Sequence, residues 1–410
     1  MKRVLIVIPS LEGGGAARVA LSHARMLQDA GHEVQVVNFF ENAVFDVSDV
    51  SRTVLFSRAA PGSLVEKIFY AGLAARKLSL LIGEGVQTRQ IILMSHMEYA
   101  NIICGYIRWF LSARVLSSIN VVCVVHNNPD KFVKRGRLKS LLISILYKNA
   151  LNGVRAVVAV SVGAAKALES GFDLSQVKVL YNSFDIGHIR ASCSSVDQLS
   201  PAPHAGSLAP SSQRHNKIRA IAAGRFVEQK GFEVIVPALL KVGAGQVCLT
   251  FLGSGSGKDG LLGQVENARI TADVRFLDFC KDPYKELVQH EVLLMPSLWE
   301  GFGNMVVEAL ACGCWVISTD CNYGPREIIG VPSDFVEKLP GVEIYKCGAL
   351  ITQAPDHDRS SEEAGIATAL KYYKANRELV DSWKSRRLSR SEDFDVRAGR
   401  ERLVSLLAEL

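Results

Sequence analysis

No apolar run in the chain is long enough to cross a membrane: a spanning helix needs roughly 20 consecutive apolar residues, and Arg108, Arg114 and Lys139 interrupt the candidates. The nine cysteines form no C-x-x-C pair and have no histidines at zinc-ligand spacing. Their odd number and spacing argue against a disulfide framework or a structural zinc site, so a reducing, cytoplasmic setting is expected. The amino-terminal MKRVLIVIPSLEGGG has an apolar run of only about five residues before Pro9 and no small-residue cleavage motif, so it reads as a strand and not as a secretory leader. Basic residues interleaved with aromatics, the footprint of a nucleic-acid surface, are absent as well. The net charge of +6 is too modest to select a partner by itself, since a nucleotide phosphate or an anionic bilayer suits it equally.

What the chain does have is length and apolar content. With 410 residues, 48% of them hydrophobic, it can build two or three cores. Val4 to Ile8 reads as a buried strand, Glu12 to Gly15 as a tight loop, Ala16 to Ala30 as an amphipathic helix and Glu33 to Phe39 as the next strand. Further strands are expected at 90–94, 120–125, 156–161 and 178–181, with helices at 64–81, 138–149 and 163–170. The pattern then restarts with strands at 218–223, 247–253 and 274–277, a helix from about Glu233, and helices at 362–373 and 396–410. Strands alternating with helices predict an α/β protein of two doubly wound, parallel, Rossmann-like sheets. Between them, residues 191–216 turn to Ser, Pro, Ala and Gly and are expected to form a flexible linker. The expected organisation is a first domain over 1–190, the linker over 191–216, a second domain over 217–385 and a helical tail over 386–410.

Two glycine runs invite comparison with nucleotide loops, and neither fits. Gly253-Ser-Gly-Ser-Gly-Lys258 has Leu252 where a phosphate-binding P-loop needs its first glycine, and Asp259 where it needs Ser or Thr. Gly13-Gly14-Gly15 has Arg18 at the third dinucleotide glycine, and no acid ends the following strand at Phe39-Phe40. Glycines at Gly14 and Gly15 remain suited to close backbone approach, either to a ligand or simply to open a helix.

The most informative stretch is MPSLWEGFGNMVVEALACGCWVISTDCNYGPREII, from Met295 to Ile329. Apolar runs at 291–295 and 315–319 are the strands of a βαβ unit, and 305–311 has helical composition. Asn304 is the expected N-cap and Gly313 the expected left-handed terminus, so the helix begins after Gly301-Phe302-Gly303 with its first amides at the strands' carboxyl ends. Glu300 and Glu308 supply acceptors for hydroxyls there, although two glutamates on a solvated structural helix read the same way. His126 follows the strand 121–125 and also sits at a strand's carboxyl end.

E-G-F-G-N-x-x-x-E followed by A-L-A-C-G and G-P-R-E resembles the retaining glycosyltransferases of family four with the GT-B fold. A second block, Gly224-Arg225-Phe226 to Lys230-Gly231, is similar to the same family's G-R-L-x-x-x-K-G. The resemblance implies transfer from a nucleotide sugar, most commonly UDP-linked, to a glycan or lipid-linked saccharide in cell-surface polysaccharide assembly. It implies that Arg225 and Lys230 bind the diphosphate, Glu300 the donor sugar and Glu308 the ribose. Gly14, Gly15, Gly224 and the amides of Phe302, Gly303 and Asn304 line the donor, His126 contacts the transferred sugar or acceptor, and Ser161 is a weaker acceptor-side candidate. No metal or other cofactor is expected, because cations and helix amides take the place of a divalent ion. The resemblance also implies that the terminal helices return to the first domain. Lys131, Lys134, Arg135, Arg137 and Lys139 precede the apolar Leu141, Leu142, Ile143, Ile145 and Leu146, a segment that fits peripheral contact with an anionic inner membrane or an ordinary core helix behind a solvated loop. A sugar-nucleotide epimerase or hydrolase, and a nucleotide-sugar-binding scaffold, stay open as alternatives. A nucleic-acid partner does not.

Overall fold

The computed structural model describes residues 1–12, 14–43, 45–83, 90–127, 138–197, 217–243, 245–354 and 358–410. The chain forms two compact units, Met1–Phe184 with Val396–Leu410, and Asp185–Asp395.

The first unit runs β1 (Arg3–Ile8), α1 (Gly15–Asp29), β2 (Glu33–Phe40), β3 (Ser51–Phe56), α2 (Leu64–Gly83), β4 (Ile91–His96), α3 (Glu98–Tyr106), α4 (Ala113–Leu116), β5 (Ile119–Val125), α5 (Leu138–Asn152), β6 (Ala156–Ala159), α6 (Val162–Phe172) and β7 (Lys178–Val179). All seven strands are parallel, in the order β3-β2-β1-β4-β5-β6-β7. Continuous apolar runs are what a strand covered on both faces requires, and Val4 to Ile8 and Ile91 to Met94 have no exposed surface. The order reverses at β1, flanked by β2 and β4, and crevices open beyond the carboxyl ends of the strands at such a reversal. Helix Val396–Ala408 belongs to this unit: Lys2 Nζ donates to Leu407 O at 2.5 Å and Asn120 Nδ2 to Leu410 O at 2.8 Å. Gly399 allows the approach, since a Cβ there would fall 1.8 Å from Ser183 Oγ.

The second unit runs α7 (Ile186–Asp197), β8 (Ile218–Ala223), α8 (Ile235–Val242), β9 (Val247–Leu252), α9 (Lys258–Asn267), β10 (Val274–Leu277), α10 (Tyr284–Leu287), β11 (Val292–Met295), α11 (Asn304–Ala311), β12 (Trp315–Thr319), α12 (Pro325–Ile329), β13 (Phe335–Leu339), β14 (Val342–Tyr345), β15 (Gly348–Ile351), α13 (Ser360–Ala375), α14 (Arg377–Ser382) and α15 (Lys384–Glu392). Its sheet order is β10-β9-β8-β11-β12-β15-β14-β13, parallel except where β14 pairs antiparallel with both β13 and β15. Trp315, with no exposed surface, anchors the core and donates its indole N–H to Tyr345 O at 3.2 Å.

Two local expectations need correction. Residues 191–197, expected to be irregular, continue helix α7, because buried Ile186, Ile189 and Cys193 recur on one face and the Asp185 carboxylate accepts from the His188 amide at 2.8 Å. Helix α11 is capped by Gly303 at φ +93°, with Asn304 as its first residue and not its cap. The left-handed terminus at Gly313 is as expected, at φ +86°. All nine cysteines are free thiols.

Candidate functional site

In the second unit the carboxyl ends of β8 and β11 bring the two sequence motifs together. The chain leaves β8 at Gly224, passes exposed Arg225 and tightens into a 3-10 turn, Glu228–Lys230, which ends on Gly231 at φ +61°. Only glycine fits there: a Cβ on Gly231 would stand 2.2 Å from Pro296 O and 2.3 Å from Arg359 Nη1. This contact docks the turn on the end of β11, where Leu298 N donates to Gln229 O at 2.9 Å and Gln229 Nε2 to Trp299 O at 2.9 Å. Arg359 fastens the junction through Pro296 O at 2.9 Å and Glu233 Oε1 at 2.6 Å.

Docking aims the Lys230 ammonium at Glu300, with Nζ 2.6 Å from Oε1. The same oxygen accepts from Ser297 Oγ at 2.7 Å. Glu308, buried one turn into α11, accepts from the Tyr284 hydroxyl at 3.3 Å. Phe302 is buried and packs edge-on against Phe394 at 5.4 Å, and Gly324 lies so close that a Cβ on it would meet Phe302 O at 1.9 Å. Arg225 makes no ion pair or side-chain hydrogen bond among the described residues, which leaves a guanidinium at a strand end for an outside anion.

The run from Gly253 to Gly257 has a different role from a phosphate loop. Gly253 and Gly255 adopt φ of +144° and +153°, and a Cβ on either would strike Gly224 O at 1.9 Å or Phe226 O at 2.4 Å. Phe226 N donates to Ser254 O at 2.8 Å and Gly257 N to Phe226 O at 2.9 Å. The glycines therefore let the loop after β9 brace the loop that carries Arg225.

In the first unit the ends of β1, β4, β5 and β6 carry Gly14, His96, His126 and Ser161. Gly14 caps α1 at φ +95° and Gly15 is its first residue. Ser161 is fully buried and caps α6, its hydroxyl oxygen accepting from Ala164 N at 3.2 Å. His126 is half-buried, with Nε2 2.8 Å from His96 Nδ1. His23, on α1, stacks at a tilt against His96 with ring centroids 5.2 Å apart. Burial lowers His23 to about 4, and burial with His23 nearby lowers His126 to about 3. His96 is pushed well below the usual histidine range by burial, then by His126 and His23. All three rings are neutral near pH 7.

Residues 208–333 match the family model described as Glycosyl transferases group 1, and residues 13–188 match that of Glycosyltransferase Family 4. An uncharacterized glycosyltransferase of Methanocaldococcus jannaschii is 26% identical over 385 residues, covering 90% of each chain. The chain is a glycosyltransferase of GT-B architecture. The Campylobacter jejuni N-acetylgalactosamine-N,N'-diacetylbacillosaminyl-diphospho-undecaprenol 4-alpha-N-acetylgalactosaminyltransferase is 25% identical over 337 residues, covering 80% of this chain and 84% of its own. In fold, this glycosyltransferase is similar to Anabaena HepE, solved with UDP and glucose, at a TM-score of 0.73 and 17% identity over 100% of both chains.

Each sequence-predicted residue of the glycosyltransferase lies at a strand end or in the first turns of the following helix. Arg225, Lys230, Glu300 and Glu308 are in the second unit, and His126 and Ser161 in the first. Four residues were not singled out beforehand: Ser297 and Arg359 around Glu300, and His96 and His23 around His126. His96 ends the apolar run IILMSH, the same signal that marks His126. Arg359 lies 32 positions beyond Glu327, where the G-P-R-E block ends, and carries no local sign of its role. Among the described residues no group of three His, Cys, Asp or Glu side chains is arranged to hold a metal ion. Of the basic, apolar segment expected to touch membrane, Lys131, Lys134, Arg135 and Arg137 lie outside the described residues; Ile145 and Leu146 are exposed.

Proposed function

We propose that the enzyme moves a sugar from a UDP-sugar to a glycan or lipid-linked saccharide in cell-surface polysaccharide assembly, with retention at the anomeric carbon and without a metal ion. The carrying observation is the Lys230–Glu300 pair at 2.6 Å on the same strand-end loops as Arg225, which has no ion pair among the described residues. A diphosphate leaving group gains charge as the glycosidic bond breaks, so cations beside it stabilise the transition state more than the ground state. Arg225 grips phosphate oxygens as a fork, and Lys230 follows the growing charge as a mobile point charge. Its departure from Glu300 frees a carboxylate for the hydroxyls of the donor sugar, while Glu308 binds the ribose. In this account the leaving phosphate accepts the acceptor's proton on the face it departs from, and Gly224 and the backbone of Phe302, Gly303 and Asn304 line the donor. The neutral His126 serves as a hydrogen-bonding group on the acceptor side. The C. jejuni relative, whose name carries a diphospho-undecaprenol acceptor, supports a lipid-linked acceptor here too.

Peripheral contact with the cytoplasmic face of a membrane follows from the same reading. Val65, Ile68 and Phe69 on α2, Trp109 and Phe110 after α3, and Leu146 on α5 are exposed, and Tyr106 joins two of these segments by stacking on Trp109 and donating to Leu146 O at 3.1 Å. An apolar face with Trp and Tyr at its margin suits an interfacial site. Thermal-shift screening against UDP-, GDP- and ADP-sugars, followed by turnover with and without a polyprenyl-diphosphate saccharide, tests the proposal. Stabilisation by UDP-sugars and turnover only with the acceptor support it. Nucleotide release into water alone, or binding without any turnover, contradicts transfer in favour of hydrolysis or a scaffold.

A further inference from the structure

Beta strand β4 ends on His96, and the next residue breaks a backbone rule. Met97 adopts φ +72° and ψ 154°, a region nearly reserved for glycine that costs about 1–3 kcal/mol in other residues. Such a conformation persists only where its surroundings hold it, and here they do so densely. Asn101, one turn into α3, receives the Ser95 hydroxyl at 2.7 Å, donates to Val124 O at 3.0 Å and sends its own amide to Met97 O at 2.9 Å. It thereby ties the last residues of β4 to the last residues of β5. The two histidines that follow, His96 and His126, are the product of that tie.

Their rings lie 24° from parallel with centroids 5.1 Å apart, the separation that two imidazoles joined end to end through one 2.8 Å contact produce. The hydrogen bond therefore runs close to both ring planes, where it is strongest. Both rings are neutral, so one proton is shared between His96 Nδ1 and His126 Nε2, and its position sets the other two nitrogens. If His126 held it, His96 would carry its remaining proton on Nε2, which is buried and has no partner among the described residues. A buried N–H without an acceptor is among the rarest defects in folded proteins, and a bare ring nitrogen is the lesser one. The proton then belongs to His96 Nδ1.

We propose that His96 is a positioning residue that accepts no proton itself but fixes His126 as the tautomer carrying Nδ1–H, so that His126 offers a hydrogen-bond donor to a sugar hydroxyl or ring oxygen. His126 Nδ1 has no partner among the described residues. Buried His23, neither of whose nitrogens is hydrogen-bonded among the described residues, packs beside His96 with ring centroids 5.2 Å apart. The proposal deepens the acceptor-side role of His126 and rests on it.

Histidine-selective nitrogen-15 labelling of the full chain and a long-range proton–nitrogen spectrum at neutral pH test it, with His126 assigned by the signal lost in His126→Gln. The expected spectrum has a protonated Nδ1 and a bare Nε2 on His126. In His96→Leu the proton on His126 is expected to move to Nε2, and kcat to fall about tenfold, the scale on which outer partners of a functional histidine act, with donor KM within about twofold. His96→Asn, whose amide reaches as far as Nδ1, restores both. A wild-type His126 with bare Nδ1, or an unchanged tautomer in His96→Leu, overturns the proposal. A chain that has the expected tautomer yet transfers no sugar contradicts the proposed function and not the relay.

Discussion

The Lys230 ammonium stands 2.6 Å from Glu300 Oε1, with the two side chains 17% and 9% exposed. Two residues 70 positions apart thus neutralise each other in a site that would otherwise hold an isolated, half-buried charge. Removing either partner alone leaves the other uncompensated, at a cost of roughly 2 kcal/mol of stability for a pair this protected. Lys230→Met and Glu300→Gln are each expected to lower the urea midpoint, and the double variant to recover most of the loss. Transfer is expected to fall about a hundredfold in Lys230→Met, equal to about 3 kcal/mol of barrier, and not to return in the double variant. Equal stability of all four proteins contradicts the pairing.

Arg225 behaves oppositely because it is exposed and has no ion pair among the described residues. Arg225→Ala should leave thermal stability within about 0.5 kcal/mol of wild type, as a surface change does, while calorimetric UDP affinity drops about tenfold or more. Unchanged UDP binding would remove the guanidinium from the donor site.

Gly231 and Gly14 both have positive φ but differ in what surrounds them. A methyl at Gly231 meets Pro296 O at 2.2 Å, whereas one at Gly14 meets nothing within 4 Å. Gly231→Ala is expected to destabilise by more than about 3 kcal/mol and to abolish transfer by lifting Lys230 from Glu300. Gly14→Ala should cost only the backbone strain, about 1 kcal/mol. Denaturant titration of both variants separates the two causes, and similar losses would refute the packing argument.

The elements legible in the sequence were those whose apolar runs are buried on both faces, such as β1, β11 and β12, and the helices with one apolar stripe. Strand β13, FVEKL, carries no apolar run because it is a partly exposed edge, and β14 and β15 are antiparallel partners two residues apart, with no helix between them to mark the alternation. Helix α3 was missed because it begins at the strained Met97, with no side-chain cap to announce it. The motifs single out Lys230 and Glu300 as candidate ligand residues, and nothing in them marks the two as partners of each other. That contact depends on Gly231 meeting Pro296, a distance in space that no local pattern records. Arg359 is invisible for the same reason, since the sheet brings its partners near, whereas His96 carries the strand-end signal of His126 but nothing local that marks their contact.

The histidine cluster makes the first unit acid-sensitive. An unfolded histidine titrates near 6.5, whereas folded His23 titrates at about 4 because burial penalises its charge. Between those values the unfolded chain binds the extra proton, so stability is full above about pH 6.5 and falls as the pH drops toward 4. His23 alone contributes a loss of about 2 kcal/mol between pH 7 and about pH 5. His23→Leu should remove that part of the fall, read from urea midpoints at the two pH values, and an unchanged acid slope would show that His23 is not a buried neutral ring.

The most direct measurement is a crystal structure of the full chain with UDP. The account predicts the diphosphate against Arg225 and Lys230, with Lys230 Nζ drawn off Glu300 and the ribose hydroxyls at Glu308. A nucleotide bound elsewhere, with the Lys230–Glu300 pair intact, would contradict it.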